Sequence, residues 1–302
     1  VPTTPREAWR GVHVAAALPF TAAGDVDHDA YADHIAFLAA GGCDGVCPNG
    51  SLGEYQTLTD SERAAVVATA VAAAPEGFGV MPGVSAYGAL ESARWAEAAA
   101  AAGATSVLLL PPNSYRADED TVVHHFREVA AVGLPVVAYN NPIDTKVDLT
   151  PRLLARLHEE RLIVAVKEFS GDVRRAYELR ELAPELDLVI GSDDVVLELG
   201  LAGAVGWIAG VTNALPASTV ELYRLATSGD PADLAKALPL YRALHPLLRW
   251  DSKTEFVQAI KVAMDAAGRK GGACRPPRSP LPAADVAAIT SLTETLLAQG
   301  HR

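Results

Sequence analysis

Eight short apolar runs, at residues 11–18, 45–48, 79–83, 106–110, 135–139, 162–167, 186–190 and 205–209, constrain what this chain can fold into. Each is separated from the next by a stretch with helical periodicity. That alternation is the signature of a parallel sheet with crossover helices. Eight runs suffice to close a barrel, and spacings of roughly 20 to 35 residues leave room for one helix in most intervals. The interval between the seventh and eighth runs is the shortest. The expected fold is therefore α/β, a (β/α)8 TIM barrel over residues 11–214. Residues 1–10 form an N-terminal extension and 215–302 a C-terminal helical extension, broken at Gly229-Asp230-Pro231 and again near residues 268–277. The tail is too short for a second catalytic domain and is expected to pack on the barrel or form a subunit contact.

The intervening stretches carry their own punctuation. Residues 29–40 place Tyr31, Ile35 and Leu38 on one face and stop at Gly41-Gly42, as an amphipathic helix with a glycine stop should. Thr59-Asp60-Ser61-Glu62 has the spacing of a capping box. Thr150-Pro151 opens another helix with proline at its first position, and residues 94–102 form an alanine-rich helix ended by Gly103.

Composition excludes several function classes. The net charge of −12 and the absence of a basic run argue against nucleic acid or an anionic membrane as partner. The first residues lack the apolar core of a signal peptide, and no apolar run reaches the ~18 residues of a membrane span, so the expected location is cytoplasmic. Three cysteines, Cys43, Cys47 and Cys274, contain no CxxC pair and are expected to be small buried or half-buried thiols.

One residue breaks the pattern. The sixth run is apolar up to Lys167, which precedes Glu168-Phe169-Ser170-Gly171. The other five lysines (Lys146, Lys236, Lys253, Lys261 and Lys270) fall in loops or helical stretches where a solvated ammonium is expected. Burial lowers a lysine pKa, and the neutral amine attacks carbonyls to form a Schiff base. At an ordinary pKa near 10.4 roughly one lysine in a few thousand is neutral at pH 7. Lowering it by about three, on the order of 4 kcal/mol, makes the amine reactive. The alternative is a structural lysine paired with Glu168 or Asp172.

Barrel chemistry sits at the C-terminal ends of the strands, and the unusual polar residues collect there. After the second run, Asn49-Gly50-Ser51-Leu52-Gly53-Glu54 sets two glycines around a hydroxyl. Such a loop presents backbone N–H groups to an anion, although a tight turn explains the glycines equally well. The fourth run ends in Pro111-Pro112-Asn113-Ser114-Tyr115. The fifth ends in Tyr139-Asn140-Asn141-Pro142, placing a phenol at the mouth as a proton relay or a packing residue. The seventh leads into Gly191-Ser192-Asp193-Asp194 and the eighth into Gly210-Val211-Thr212-Asn213. An amine, a phenol, a hydroxyl and an anion cradle suit iminium formation from a 2-oxo acid.

Four segments, spread from residue 11 to about 282, carry a family resemblance: Gly50-Ser51-Leu52-Gly53-Glu54 with Thr57-Leu58-Thr59 and Glu62-Arg63; Tyr139-Asn140-Asn141-Pro142; Val166-Lys167-Glu168-Phe169-Ser170-Gly171-Asp172; and Gly271-Gly272-Ala273-Cys274-Arg275-Pro276-Pro277. The sequence resembles the dihydrodipicolinate synthase and N-acetylneuraminate lyase family. The resemblance implies a class I mechanism in which Lys167 adds to C2 of a small 2-oxo acid such as pyruvate and Tyr139 moves protons. It implies that Ser51, with the backbone N–H groups of Ser51 and Leu52, holds the C1 carboxylate. No metal or organic cofactor is required, and the implied assembly is a homotetramer built as a dimer of dimers.

The departures from the synthases narrow the expectation. Ser51 and Leu52 stand where those enzymes have two threonines, so one relay hydroxyl is absent. Asn113-Ser114 replace a tyrosine pair, which leaves Ser114 and the adjacent Tyr115 as expected substrate contacts. Asp144 replaces an arginine that grips the aldehyde substrate's carboxylate. An aspartate there repels a carboxylate and favours a hydroxyl or amine, with Lys146 as a partial substitute for the lost charge. The expected function is a catabolic aldolase, dehydratase or deaminase on a hydroxylated 2-oxo acid, of the 4-hydroxy-2-oxoglutarate, 2-keto-3-deoxy-sugar-acid or hydroxyproline-derived type. The alternatives are the true 4-hydroxy-tetrahydrodipicolinate synthase and a non-catalytic 2-oxo-acid-binding regulatory protein. A metal-dependent aldolase would need clustered ligands, whereas His124-His125 fall in a helical stretch. A phosphate-dependent barrel would need richer glycine loops than Gly191-Ser192 and Gly210 provide.

Overall fold

The computed structural model describes residues 7–112 and 116–302. The expectations placed on Ser114 and Tyr115 lie outside the described residues. Eight parallel strands, β1 (Gly11–Ala15), β2 (Gly45–Cys47), β3 (Gly79–Val80), β4 (Val107–Leu109), β5 (Val136–Asn140), β6 (Ala165–Glu168), β7 (Asp187–Ile190) and β8 (Gly206–Ala209), fall inside or within one residue of the eight apolar runs. They are ordered β3-β2-β1-β8-β7-β6-β5-β4. The first and last strands in sequence are thus neighbours. A bridge between Gly83 and Leu108 joins the two remaining edges, reinforced by the Leu108 N–H to Pro82 oxygen and the Val84 N–H to Leu108 oxygen. The barrel closes, so among the described strands no edge is left without a partner. The strands are buried on both faces, the usual condition of an all-parallel sheet, which is why they read as continuous apolar runs.

The crossover helices follow the expected punctuation. α1 (His28–Ala40) buries Tyr31, Ile35 and Leu38 and ends at Gly41; each such side chain contributes about 1.5–3 kcal/mol of burial. α2 (Asp60–Ala73) opens with the full Thr59–Glu62 capping box. α3 (Ala89–Ala102) begins earlier than its alanine-rich half and stops at Gly103 in the left-handed region. α4 (Glu119–Ala130), the single-turn α5 (Pro142–Thr145) and α6 (Pro151–Glu159) follow, α6 capped by Thr150 with Pro151 in its first turn. α7 (Arg174–Leu182) and the six-residue α8 (Val196–Leu201) complete the ring; α8 fills the shortest interval.

The tail folds as α9 (Pro216–Thr227), α10 (Pro231–Leu248), α11 (Phe256–Ala266) and α12 (Ala283–Ala298). It breaks at the two expected places and also between α10 and α11, at residues 249–255. That third break lowers Asp251 onto the C-terminal end of the barrel. No helix among the described residues is long and apolar enough to cross a membrane. The three cysteines are free, with Cys43 and Cys47 buried and Cys274 half-buried.

Candidate active site

Parallel pairing sets β5 against β6 with Tyr139 opposite Lys167 and Asn140 opposite Glu168. Register partners share a face and successive residues alternate, so lysine and tyrosine lie together on one face and glutamate and asparagine on the other. The Lys167 Nζ sits 4.2 Å from the Tyr139 ring centroid and 5.6 Å from that of Phe169, and the two rings meet edge to face at 6.1 Å. Lys167 is only 6% exposed. The structural alternative for it is not what the geometry shows. Glu168 is turned away, accepting from Asn140 Nδ2 at 3.0 Å and from the Ser170 N–H at 2.7 Å, while Asp172 pairs with Arg174 at 2.6 Å. No carboxylate among the described residues lies within ion-pair distance of Lys167.

Burial therefore lowers the Lys167 pKa, against the opposing pull of Asp251, Cys47 and Asp193. Asp193 accepts from Trp207 Nε1 at 3.0 Å, from the Gly210 N–H at 3.1 Å and from the Val211 N–H at 2.7 Å. Burial outweighs these donors and pushes its carboxyl up to about 6. Asp251 is pushed well above the carboxylate range, first by burial and then by the neighbouring Asp193 charge. A side chain at Gly210 would collide with the Asp251 carboxylate, so the end of β8 admits only glycine here. Asp193 thereby occupies the N–H groups of Gly210 and Val211, the donors that the loop after β8 would otherwise offer an anion. The Cys47 thiol is pushed up to about 12 by burial, and the Tyr139 phenol is held protonated by burial, far above its ordinary value.

Ser51 follows β2 in a loop whose end is locked from below. Glu54, in the left-handed region, forms an ion pair with Lys261 of α11 at 2.6 Å, with side chains 0% and 1% exposed. Its other oxygen accepts from the Arg275 N–H at 2.9 Å. Lys261 was expected to be solvated; it is instead buried, because the α11 face that carries it packs on this loop. The N–H groups of Ser51 and Leu52 donate to no other described residue, which leaves them available to an anion. Leu52 itself is buried.

A polar chain leads outward from the phenol. Asn141 Nδ2 donates to the Tyr139 hydroxyl at 3.4 Å and to Asp144 Oδ2 at 2.8 Å, while its Oδ1 accepts from the Asp144 N–H at 3.2 Å and caps α5. Ser51, Asn141 and Asp144 line a cavity of about 300 Å³, together with Thr254, Phe256 and Arg278 from the tail. The expectation that Lys146 replaces the missing positive charge is not met. Its ammonium bonds back to the Ile143 carbonyl and it does not line this cavity. His125 is buried against the Leu110 carbonyl at 3.2 Å, and no group of three potential metal ligands occurs among the described residues.

The dihydrodipicolinate synthetase family model matches residues 8–295. The chain belongs to this family. It is 32% identical over 292 residues to an uncharacterized DapA-like lyase of Rhizobium meliloti, covering 96% of each chain. It is 33% identical to the 4-hydroxy-tetrahydrodipicolinate synthase of Methanothrix thermoacetophila, covering 90% of this chain and 92% of that one. Among solved structures, a dihydrodipicolinate synthase superposes with a TM-score of 0.90 at 28% identity, covering 95% of this chain and 99% of the other. A prophage protein of the family from E. coli K12, solved in complex with pyruvate, superposes with a TM-score of 0.88 at 28% identity over 95% and 98%.

Within this family of lyases, the chain brings Lys167, Tyr139, Ser51, Leu52 and Asp144 to one end of the barrel. Sequence reasoning missed Asp251, Lys261 and Arg278, all supplied by the tail. The signal for Lys261 was present, since its neighbours Val257, Ile260 and Met264 mark it as lying on an apolar face. Asp251 and Arg278 had none, because both sit in irregular segments whose path only the packed tail defines.

Proposed function

We propose that this family member is a class I lyase in which Lys167 forms an imine with a 2-oxo acid that carries a hydroxyl beyond C3. The observation that supports it most is the buried Lys167 amine, 4.2 Å from the Tyr139 ring and without an ion-pair partner among the described residues. The pyruvate complex of the E. coli relative is consistent with such a head group.

In this reading the Ser51 hydroxyl and the N–H groups of Ser51 and Leu52 hold C1, and the Lys167 amine adds to C2. The carbinolamine expels hydroxide, which takes a proton from the protonated Tyr139 phenol and leaves as water. The resulting iminium is an electron sink. In aldol cleavage the C4 hydroxyl gives its proton to the Tyr139 phenolate left by imine formation as the C3–C4 bond breaks, and the bonding pair becomes the enamine. A proton then returns to C3, and water releases pyruvate from Lys167. Dehydration or deamination uses the same iminium: C3 loses a proton to the Tyr139 phenolate, and the enamine expels the group on C4, which takes that proton and leaves as water or ammonia. Asp144 accepts a hydrogen bond from the substrate hydroxyl, which is the contact that favours a hydroxylated substrate.

A second reading, condensation of pyruvate with aspartate semialdehyde, is favoured by the synthase names of several relatives. Leu52 and Asp144 oppose it, since they remove a relay hydroxyl and the positive grip on the aldehyde's carboxylate. The test is consumption of hydroxylated 2-oxo acids against aspartate semialdehyde plus pyruvate, by purified protein and by Lys167→Ala. Consumption of a hydroxylated acid, absent in the variant, supports the proposal. Turnover only with aspartate semialdehyde overturns it in favour of the synthase. The tetramer implied by the family is checked by analytical ultracentrifugation.

A further inference from the structure

The cavity beside the proposed catalytic residues holds a cation for which the mechanism above has no use. Arg278 and Asp144 are the charged side chains among the described residues that line it. The two do not pair with each other, and the Arg278 guanidinium has no hydrogen-bond or ion-pair partner among the described residues. It is half-buried, resting 5.6 Å from the centroid of Phe256, another wall of the same cavity. Its neighbours in the tail behave differently: Arg275 is saturated by Glu62 and by the Gly24 and Thr57 carbonyls, and Arg269 pairs with Asp33.

The backbone that carries Arg278 is fixed on both sides. Its N–H donates to the Arg275 oxygen at 3.2 Å, the Arg275 N–H is tied to buried Glu54, and Gln258 Nε2 donates to the Ser279 oxygen at 3.0 Å. The same Glu54 ends the Ser51 loop. The backbone of Arg278 is thus held on the framework that positions the proposed carboxylate cradle. A guanidinium carried on a fixed backbone, resting on Phe256 and without a partner among the described residues, can meet a planar anion in this small cavity. In a chain of net charge −12, a local cation offsets the repulsion a doubly charged substrate meets.

We infer that Arg278 is a specificity-determining residue that pairs with a second carboxylate at the far end of the substrate, so that the enzyme acts on 2-oxo diacids. The inference rests on the proposed Lys167 imine, which fixes the other end. Asp144 and Arg278 then divide the work: the carboxylate meets the substrate hydroxyl and the guanidinium meets the terminal acid.

The test uses borohydride trapping read by intact mass, which requires no turnover. 2-Oxoglutarate and 2-oxovalerate have the same chain length and differ in a terminal carboxylate against a methyl, and pyruvate has neither. The wild-type protein should reach half-maximal trapping at a 2-oxoglutarate concentration lower than that for 2-oxovalerate by on the order of tenfold or more, the discrimination expected of one charge-assisted pair. Arg278→Gln should abolish the preference while leaving pyruvate trapping unchanged, and Arg278→Lys should restore part of it. Unchanged preference in Arg278→Gln, or no preference in the wild type, overturns the inference while leaving the lyase reading intact. Equal loss of pyruvate trapping in Arg278→Gln also overturns it, because the residue would then serve the fold and not the far end. Failure of the wild type to trap any acid overturns the imine reading, and this inference with it.

Discussion

Breaking the Glu54–Lys261 pair tests how the tail controls the proposed site. Both side chains are removed from water and meet at 2.6 Å. Lys261 Nζ also donates to the Ala273 oxygen at 3.1 Å and lies 4.6 Å from the Phe20 ring centroid. Removing one partner strands the other charge in the interior, at a cost of about 3–5 kcal/mol. At about 2–4 °C per kcal/mol, Glu54→Gln or Lys261→Met should lower the unfolding midpoint by about 6–20 °C. The double variant strands no charge and should recover much of that loss. Urea unfolding of all four proteins closes a double-mutant cycle. Coupling of several kcal/mol is expected; about 0.5 kcal/mol, the worth of an exposed pair, would refute the argument. The single variants should also trap pyruvate more slowly, since Glu54 anchors the loop that carries Ser51.

Three further outcomes follow from the site. Tyr139→Phe should lower turnover by about 10²–10⁴-fold, the range for losing a general acid–base group, while the folded protein still yields a trapped imine. Asp251→Asn removes a carboxylate that pulls the Lys167 pKa upward, so the acid limb of the pH profile of imine formation should move to lower pH; no movement, or movement upward, would show that Asp251 does not face the amine electrostatically. Glu62 is held at about 2, below its ordinary 4.5, chiefly by its hydrogen bond to Arg275. A depressed carboxyl contributes stability that is present above the unfolded value and lost as pH falls through the folded one. The stability difference between wild type and Glu62→Gln should therefore be full above about pH 4.5 and shrink as pH falls toward 2, as measured by urea unfolding across that range.

The barrel was legible because its strands are buried on both faces and leave uninterrupted apolar runs, and because caps such as Thr59–Glu62 and Thr150-Pro151 act within a few residues. Lys167 stood out for the same reason, as a charge inside such a run. The tail was less legible. The break at residues 249–255 has no proline or glycine to announce it, since Trp250-Asp251-Ser252-Lys253-Thr254-Glu255 is ordinary polar sequence. What fixes it is the contact of Asp251 with the end of β8, a pairing more than 40 residues apart that no local pattern encodes. The apolar neighbours of Lys261 mark a buried face, but the carboxylate that neutralises it there, Glu54, lies 207 residues away and no local pattern points to it. Arg278 lies just past the signature that ends at Pro277, and its position at the cavity depends on the anchoring of Arg275 and Ser279 on either side.

The central claim is that Lys167 is the imine-forming amine. The most direct measurement is peptide mapping of protein reduced with borohydride in the presence of pyruvate, alongside Lys167→Ala. One reduced pyruvate adduct per chain, located on the peptide that contains Lys167 and absent from the variant, is the predicted result. A folded protein that gives no adduct, or an adduct on another lysine that persists in Lys167→Ala, would contradict it.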